Sequence, residues 1–184
     1  MRKYGKGKFF LLLLFLETET MDGLKLYEIN PKYVTYLLNY APHLFRNSSP
    51  EQHNSRKYIG VVFRINGFDY FAPLSSFKVK HRKMQESIDF IKIKDYAVIN
   101  LNNMFPVPMT ECAYVDINSQ RDMRYKALLL TEYRYIKSIQ DKIRKNARNV
   151  YKIKLRDGNS SSLAKRCNDF LALEEACRKY MKSK

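Results

Sequence analysis

The sequence has few of the residues from which small proteins build disulfide frameworks or zinc sites. The 184 residues include three cysteines, an odd number with no close pair, so no disulfide framework is expected among Cys112, Cys167 and Cys177. The three histidines are scattered and show no zinc-binding spacing. We therefore predict no metal, no cofactor and a reducing compartment, which favours the cytoplasm.

Acidic residues are also scarce. The chain has 18 Asp and Glu against 34 Lys and Arg, a formal net charge of +16 at pH 7. So few carboxylates among so many cations argue against two-metal nuclease chemistry. A compact domain holds such a charge against self-repulsion, which favours an anionic partner, either nucleic acid or a membrane surface. Aromatic residues, 14% of the chain, are interleaved with the cations and favour nucleic acid, because they can stack on bases.

No hydrophobic run is long enough to span a bilayer. The N-terminal run from Phe9 to Leu16 has eight residues, whereas a spanning helix needs about 20. A basic start precedes it, as in a signal peptide, but two glutamates follow where a cleavage site needs small residues. We predict that residues 1–20 are an extension or a misplaced start, and that residues 21–184 form a single domain. A membrane anchor is the alternative for residues 1–20.

The first half of the chain alternates between extended and helical patterns. Leu24 to Ile29 predicts a strand. Asn30 and Pro31 suit the N-cap and first turn of a helix that Pro42 ends, and residues 43–55 have the polar composition of a loop.

The clearest local signal is "KYIGVVFRINGFDYFAPL", two apolar-rich runs joined by Asn66 and Gly67. Both central residues of a type I′ turn need positive φ, which Asn-Gly tolerates, so this segment predicts a β-hairpin. The end of its second strand then lies beside the start of the first. The hairpin therefore brings Arg56 or Lys57 towards the "SSFK" segment, residues 75–78.

The second half of the chain adds short strands and then helices. Short strands are expected at Asp89–Lys94, Tyr96–Leu101 and Ala113–Ile117. From Asp122 to Val150 the apolar spacing predicts one long amphipathic helix with a cationic outer face, and Leu163–Tyr180 predicts a terminal helix. The expected class is α+β, with an antiparallel sheet and several helices.

The segment "SSFKVKHRK" carries the candidate chemistry. If RNA is the substrate, its own 2′-hydroxyl is a nucleophile, and the protein must position the backbone, move protons and stabilise charge on the phosphate. Lys78 suits charge stabilisation, while Ser75, Ser76 and Arg56 can bind phosphate oxygens. Possible proton carriers are His81 and His53. The alternative is that the serines form a turn or helix cap and the cations a solvated face.

At these residues the chain resembles the ToxN/AbiQ endoribonuclease toxins of type III toxin–antitoxin systems. The resemblance rests on "LYEINPKYVTYL", "RKYIGVVFRINGFDYFAPLSSFK" and "INLNNMFPVP", in that order. It implies a compact, strongly twisted antiparallel sheet surrounded by helices, distantly like the Kid/MazF toxins. It also implies metal-independent RNA cleavage to a 2′,3′-cyclic phosphate. Inhibition would come from a small repeat-derived RNA in closed protein–RNA assemblies, with a role in phage defence by abortive infection.

Carried over to this chain, the family's motif falls on Ser75, Ser76 and Lys78, its basic residue on Arg56, and its histidine on His81. Two positions depart from the pattern. Some relatives have a tyrosine ahead of the basic residue, and its position falls near Gln52 in this chain. The role of that tyrosine is then either unfilled or taken by His53. Phe77 replaces a common proline, and this replacement is expected to alter the geometry of the loop.

The sequence thus predicts a cytoplasmic endoribonuclease toxin with Ser75, Ser76, Lys78 and Arg56 as catalytic residues. Possible supporting residues are His81, His53 and Lys57. Cations of the "SSFK" region and of the long helix are expected to bind substrate and antitoxin RNA: Lys80, Arg82, Lys83, Arg134, Lys137, Arg144 and Lys145. Two alternatives remain open, a non-catalytic RNA-binding protein and a peripheral membrane protein.

Overall fold

The computed structural model describes residues 23–41, 44 and 56–183, which form an antiparallel sheet with helices around it. In chain order the elements are β1 (Lys25–Ile29), α1 (Pro31–Leu37), β2 (Tyr58–Ile65), β3 (Phe68–Ser76), α2 (Val79–Lys83), β4 (Phe90–Ile93), β5 (Ala97–Asn100), β6 (Phe105–Pro106), β7 (Cys112–Tyr114), α3 (Met123–Ser138), α4 (Gln140–Asp157), α5 (Ser162–Arg166) and α6 (Phe170–Lys182). The predicted α+β class with an antiparallel sheet is confirmed.

Residues 1–20, with their apolar run, and the predicted loop 43–55 except Leu44 lie outside the described residues. Within the described part of the chain, no helix combines the length and the apolar character needed to cross a membrane.

The sheet places β3 at its centre. The strand order is β4-β5-β3-β2-β1-β7, and β6 pairs with β3 further along the edge that β5 also uses. All these pairs are antiparallel. The last three residues of β3 are therefore paired with β5 on one side, and on the other side Leu74 and Ser75 lie beside Lys57 and Arg56, which precede β2.

The β2–β3 hairpin forms as the sequence predicts. Asn66 and Gly67 have φ of 51° and 79°, as their turn requires. Next to the turn, Arg64 lies opposite Asp69, and its Nη2 donates to Asp69 Oδ2 at 2.7 Å. This pair and the turn fix the register at the tip of the hairpin.

An irregularity between Gly60 and Phe63 changes that register. The pairing at the turn would, if uninterrupted, put Arg56 opposite Phe77. The observed pairing beyond the irregularity joins Gly60 to Phe71 and Tyr58 to Pro73, a shift of two residues. Such a shift keeps every side chain on its face of the sheet, because the side-chain period of a strand is two. It moves the partner of Arg56 from Phe77 to Ser75.

On the face of the sheet that packs against α4 and α6, the core contains a polar contact among aromatic rings. Glu174 Oε1 accepts hydrogen bonds from the hydroxyls of Tyr70 and Tyr151, both at 2.8 Å. Burial raises the pKa of Glu174, against the lowering effect of these two donors. The rings of Tyr151 and Phe170 are stacked with centroids 5.4 Å apart. This cluster joins β3, α4 and α6.

The long helix expected from Asp122 to Val150 is wrong in one respect, because it is two helices. Asp122 caps α3 by accepting from the backbone N–H groups of Arg124 and Tyr125. The break falls at Ile139, which has φ −118° and ψ 15° and separates α3 from α4. The apolar spacing runs through the break without interruption, so the sequence pattern carries no sign of it.

The terminal helix is also divided, and α1 is shorter than expected. The side chain of Asp169 accepts from Ala172 N–H and starts α6 afresh after α5. Arg166, the last residue of α5, donates two hydrogen bonds of 2.6 and 2.7 Å to Asp89 at the start of β4. Asn30 caps α1 as predicted, with Lys32 N–H donating to Oδ1 at 3.0 Å, but α1 ends at Leu37.

Gly60→Ala should lower the free energy of unfolding by about 1–3 kcal/mol, the usual cost of overpacking a core. An added Cβ would lie 2.1 Å from a ring carbon of Phe71, and that ring is fully buried. Urea unfolding followed by circular dichroism measures the change. The control is Gly60→Ala in a Phe71→Ala background, where the ring atoms that would overlap the new Cβ are absent and the loss should be smaller. An equal loss in both backgrounds would contradict this account of Gly60.

Candidate active site

The end of β3 is held on both sides by backbone pairing. Ser75 lies opposite Val98 and Ser76 opposite Ala97 on β5. On the other side, Leu74 N–H donates to Lys57 O at 3.0 Å. The two serines therefore lie at a strand end, as predicted; β5 pairs with both, and Lys57 holds the residue before them on the other side.

Arg56 contacts this strand end directly. Its Nη1 donates to Ser75 Oγ at 3.0 Å, so the predicted meeting of the two hairpin ends is confirmed for Arg56. The Ser75 side chain is half-buried and that of Ser76 is exposed. Side chains of adjacent strand residues point to opposite faces, so Ser75, and not Ser76, shares a face with the guanidinium.

Lys57 does not join the site, contrary to the expectation that it could assist there. Its ammonium is paired with Glu28 on β1 and lies 5.8 Å from the centre of the Tyr125 ring on α3. The Lys57 side chain is 8% exposed. The two-residue period of β2 directs Lys57 to the helical face and Arg56 to the other face. Lys57 thus joins β1, β2 and α3.

Tyr58 is a neighbour of the site that the sequence analysis missed. It lies on the same face of β2 as Arg56, two residues along, and is buried against the ring of Phe105. Burial raises the pKa of Tyr58 to about 12, with the positive charge of Arg56 acting in the opposite direction. The i, i+2 spacing in a predicted strand was a signal that could have identified it.

Lys78 is exposed, and its backbone is held in place by His81. Lys78 N–H donates to His81 Nδ1 at 3.0 Å, and His81 N–H donates to Lys78 O at 2.8 Å. The imidazole is 6% exposed and has the rings of Phe77 and Phe90 on its two sides, at 5.5 and 5.7 Å. Phe77 thus forms one wall of the histidine site.

In the structure His81 is a buried acceptor for the Lys78 backbone N–H, and its role as a proton carrier stays a prediction. Burial, followed by the charges of Lys80, Lys78 and Lys92, lowers the pKa of His81. The imidazole is therefore neutral at pH 7, as its acceptance of the Lys78 N–H requires. The other predicted carrier, His53, lies outside the described residues.

Cations cover the surface beside Lys78. Lys80, Arg82 and Lys83 are exposed on α2. Lys92 Nζ donates to Arg82 O at 3.4 Å, and Lys92 N–H donates to Glu86 Oε1 at 2.9 Å.

This basic surface reaches the first turn of α4. The carboxylate of Glu86 is 3.6 Å from Lys142 Nζ, which brings the loop after α2 to that turn.

The predicted cations of the long helix are divided between two helices. Arg134 and Lys137 lie on α3, whereas Arg144 and Lys145 lie on α4. Arg134 and Lys145 are exposed, and Arg144 is half-buried. The ammonium of Lys137 lies against Gly23, so close that a Cβ on that glycine would overlap it.

The fold and the site define a basic α+β protein with a hydroxyl–guanidinium pair and an exposed lysine at the end of a central strand. The sequence model of the family described as "Toxin ToxN, type III toxin-antitoxin system" matches residues 25–178. A curated relative, Endoribonuclease ToxN from Bacillus thuringiensis subsp. kurstaki, is 36% identical over 167 residues, covering 86% of this chain and 85% of the relative. The chain therefore belongs to the ToxN family of endoribonuclease toxins.

Solved structures agree with this assignment. A structure reported for selective toxin inhibition by a non-coding RNA pseudoknot in bacterial type III toxin–antitoxin systems is 34% identical, with a TM-score of 0.76. The match covers 88% of this chain and 99% of that chain. A second, from a bacterial antiviral system regulated by a processed non-coding RNA, is 27% identical with a TM-score of 0.75, covering 84% and 98%.

The His81 imidazole should titrate below pH 6.5, its value in an unfolded chain. Because the pKa of His81 is lower in the folded than in the unfolded protein, its titration does not change the free energy of unfolding above pH 6.5. As the pH falls from 6.5 through the folded-state pKa, the free energy of unfolding decreases. NMR of the imidazole and of the Lys78 amide should show the same midpoint. His81→Gln, which retains an acceptor, should abolish that step in the Lys78 amide. A midpoint at or above 6.5 would contradict this account of His81.

Proposed function

We propose that this protein cleaves RNA by attack of a ribose 2′-hydroxyl on the adjacent phosphate. The O–P bond to the 2′-oxygen forms and the bond to the 5′-oxygen breaks, leaving a 2′,3′-cyclic phosphate and a 5′-hydroxyl end. One proton leaves the 2′-hydroxyl and one is delivered to the departing 5′-oxygen. The observation that carries the proposal is the Arg56–Ser75 hydrogen bond at the end of β3, three residues before the exposed Lys78.

Arg56 and Ser75 are proposed to hold the phosphate. The hydrogen bond to Ser75 Oγ uses Nη1 and fixes the position of the planar guanidinium, a group whose geometry and charge suit phosphate. Ser75 is paired with Val98 on β5, and the hydrogen bond from Leu74 N–H to Lys57 O holds the other side of the strand next to Arg56. A phosphate bound here meets donors that do not need to reorganise during the reaction, as electrostatic stabilisation requires.

Lys78 is proposed to stabilise the extra negative charge of the pentavalent phosphate, and Ser76 to hydrogen-bond the reacting nucleotide. Both side chains are exposed at the junction of β3 and α2. The two hydrogen bonds with His81 hold the Lys78 backbone in place, which limits the positions that the flexible side chain can give its ammonium group. His81 acts through Lys78 and does not itself touch the substrate in this scheme.

The proposed reaction is metal-independent. The side chains gathered at the strand end are hydroxyls and cations, which can bind phosphate and stabilise its charge directly. The nucleophile belongs to the RNA, so no activated water is needed. Activity in excess EDTA tests this part of the proposal separately from the rest.

The same surface is proposed to bind a structured, repeat-derived RNA antitoxin in the cytoplasm, in closed protein–RNA assemblies that serve phage defence. Support comes from the similar structures, one with an inhibitory RNA pseudoknot and one from an antiviral system. The cationic side chains next to Lys78 supply the complementary charge. Inhibition would then be occupancy of the active site by RNA.

Lys78→Ala should reduce cleavage by roughly 10²- to 10³-fold, the usual loss when one group that stabilises transition-state charge is removed. Purified protein freed of RNA is incubated with a mixed-sequence RNA in excess EDTA, and the new ends are mapped. Wild type should leave 2′,3′-cyclic phosphates.

The matched control for this experiment is Lys179→Ala, which should cleave like wild type. Lys179 is an exposed lysine of α6. The guanidinium of the neighbouring Arg178 lies 5.4 Å from the centre of the Phe68 ring. Phe68 begins β3 at the hairpin turn, about 25 Å along the strand from Ser75, so this part of α6 is far from the candidate site. RNA that stays intact but is bound equally by all three proteins would mean a non-catalytic RNA-binding protein.

Charge reversal on the outer faces of α3 and α4 should weaken RNA binding and flatten its salt dependence. In the Lys78→Ala background, Arg134→Glu and Lys145→Glu should each reduce the slope of log K against log salt by about one. Fluorescence anisotropy of a labelled RNA between 50 and 200 mM salt measures both. Lys179→Glu changes the same charge on α6 and should leave the slope unchanged. Equal slopes for all variants would show that α3 and α4 only pack.

A further inference from the structure

Tyr96 lies beside the active-site segment, in the turn between β4 and β5. Its carbonyl oxygen accepts from Phe77 N–H at 3.0 Å, which extends the β3–β5 ladder by one step beyond the Ser76–Ala97 pair. Tyr96 is therefore opposite Phe77, one residue from Lys78. Ser75 lies opposite Val98, so strand alternation puts Tyr96 on the face of the sheet that carries Ser75 and Arg56.

The ring of Tyr96 is available for contact. Three tyrosines are exposed among the described residues: Tyr40, Tyr96 and Tyr114. Tyr40 packs against Tyr36, and Tyr114 against Tyr27. Tyr96 is 41% exposed, and within the described part of the chain its ring contacts no other aromatic ring. Tyr96 therefore lacks the contact with another aromatic ring that Tyr40 and Tyr114 have.

The backbone that carries Tyr96 is fixed. Tyr96 N–H donates to Ile93 O at 3.1 Å and closes the turn. Lys94, inside the turn, has φ of 48°, an uncommon conformation for a residue with a side chain. The ammonium of Lys94 lies 5.6 Å from the centre of the Tyr135 ring on α3. The exposed ring is thus attached to a turn held by a hydrogen bond and by a contact to α3.

We infer that Tyr96 is the stacking platform for the base of a nucleotide that adjoins the scissile phosphate. Neighbouring strands are about 5 Å apart, so the ring is within one nucleotide of the site defined by Arg56, Ser75 and Lys78. A base placed on this ring holds its ribose and phosphate in line with those groups. Stacking on an aromatic ring tolerates different bases, so Tyr96 contributes positioning more than sequence choice. The inference rests on the proposed function of the same site.

The test combines variants of Tyr96 with changes in the RNA. Tyr96→Ala should lower kcat/KM by roughly 5- to 150-fold on a short RNA that is cut once, the range expected for loss of one stacked base. Tyr96→Phe and Tyr96→Trp retain an aromatic face and should stay within about threefold of wild type. The control Tyr114→Ala removes an exposed tyrosine three strands away from β3 and should not change the rate.

An abasic ribose next to the cleaved bond identifies the stacked nucleotide. For wild type, an abasic substitution at one of the two flanking positions should cause the loss that Tyr96→Ala causes with intact RNA. The two changes together should cost little more than either alone, because both remove the same contact. Unchanged kcat/KM in Tyr96→Ala, losses that multiply, or a loss in Tyr96→Phe equal to that in Tyr96→Ala would overturn the inference.

A binding measurement keeps this test independent of cleavage. In the Lys78→Ala background, 2-aminopurine is placed at each position of the short RNA in turn, and stacking is followed by quenching of its fluorescence. Quenching at one position that Tyr96→Ala relieves supports the inference, even where wild type cuts no RNA and the proposed reaction fails. Quenching that is the same with and without the Tyr96 ring overturns it, even where cleavage is observed.

Discussion

The register of β2 against β3 is the constraint on which the candidate site depends. The hydrogen bond from Leu74 N–H to Lys57 O places Arg56 beside Ser75 and directs Lys57 to Glu28 on the opposite face. A slip of one residue would exchange the two cations between the faces of the sheet. The buried Lys57 would then replace the guanidinium at the strand end, and Arg56 would enter the space beside Tyr125.

Two features hold this register, one at each end of the hairpin. The Asn66-Gly67 turn fixes the tip, and the buried ring of Phe71 over Gly60 fixes the irregularity that shifts the pairing by two residues. The same geometry that gives β2 and β3 a tight core thus determines which side chain meets Ser75. Stability and the arrangement of the site have a common origin in these contacts.

Around this strand end, buried and exposed side chains differ in what they do. Buried groups hold positions: His81 binds the Lys78 backbone, and Asp89 binds Arg166 on α5. The burial of Asp89 would raise its pKa, but the hydrogen bonds from Arg166 and Ser87 lower it and keep the carboxylate charged. Other side chains, such as Lys78 and Tyr96, are exposed on the surface. A basic ToxN-family protein can in this way present many exposed cations while the buried charges of Lys57 and Asp89 are paired.

The sequence by itself determined the elements that local chemistry controls: the Asn-Gly hairpin, the cap of α1 at Asn30, the serines at a strand end and the basic surface. Local patterns also give the period of α3 and α4, but not the break at Ile139, because the apolar spacing continues across it. Tertiary structure decided the choice of Arg56 over Lys57, the burial of His81 and the nearness of Tyr96. Each of these depends on long-range strand pairing, and no local pattern specifies which residue of one strand lies opposite which residue of another.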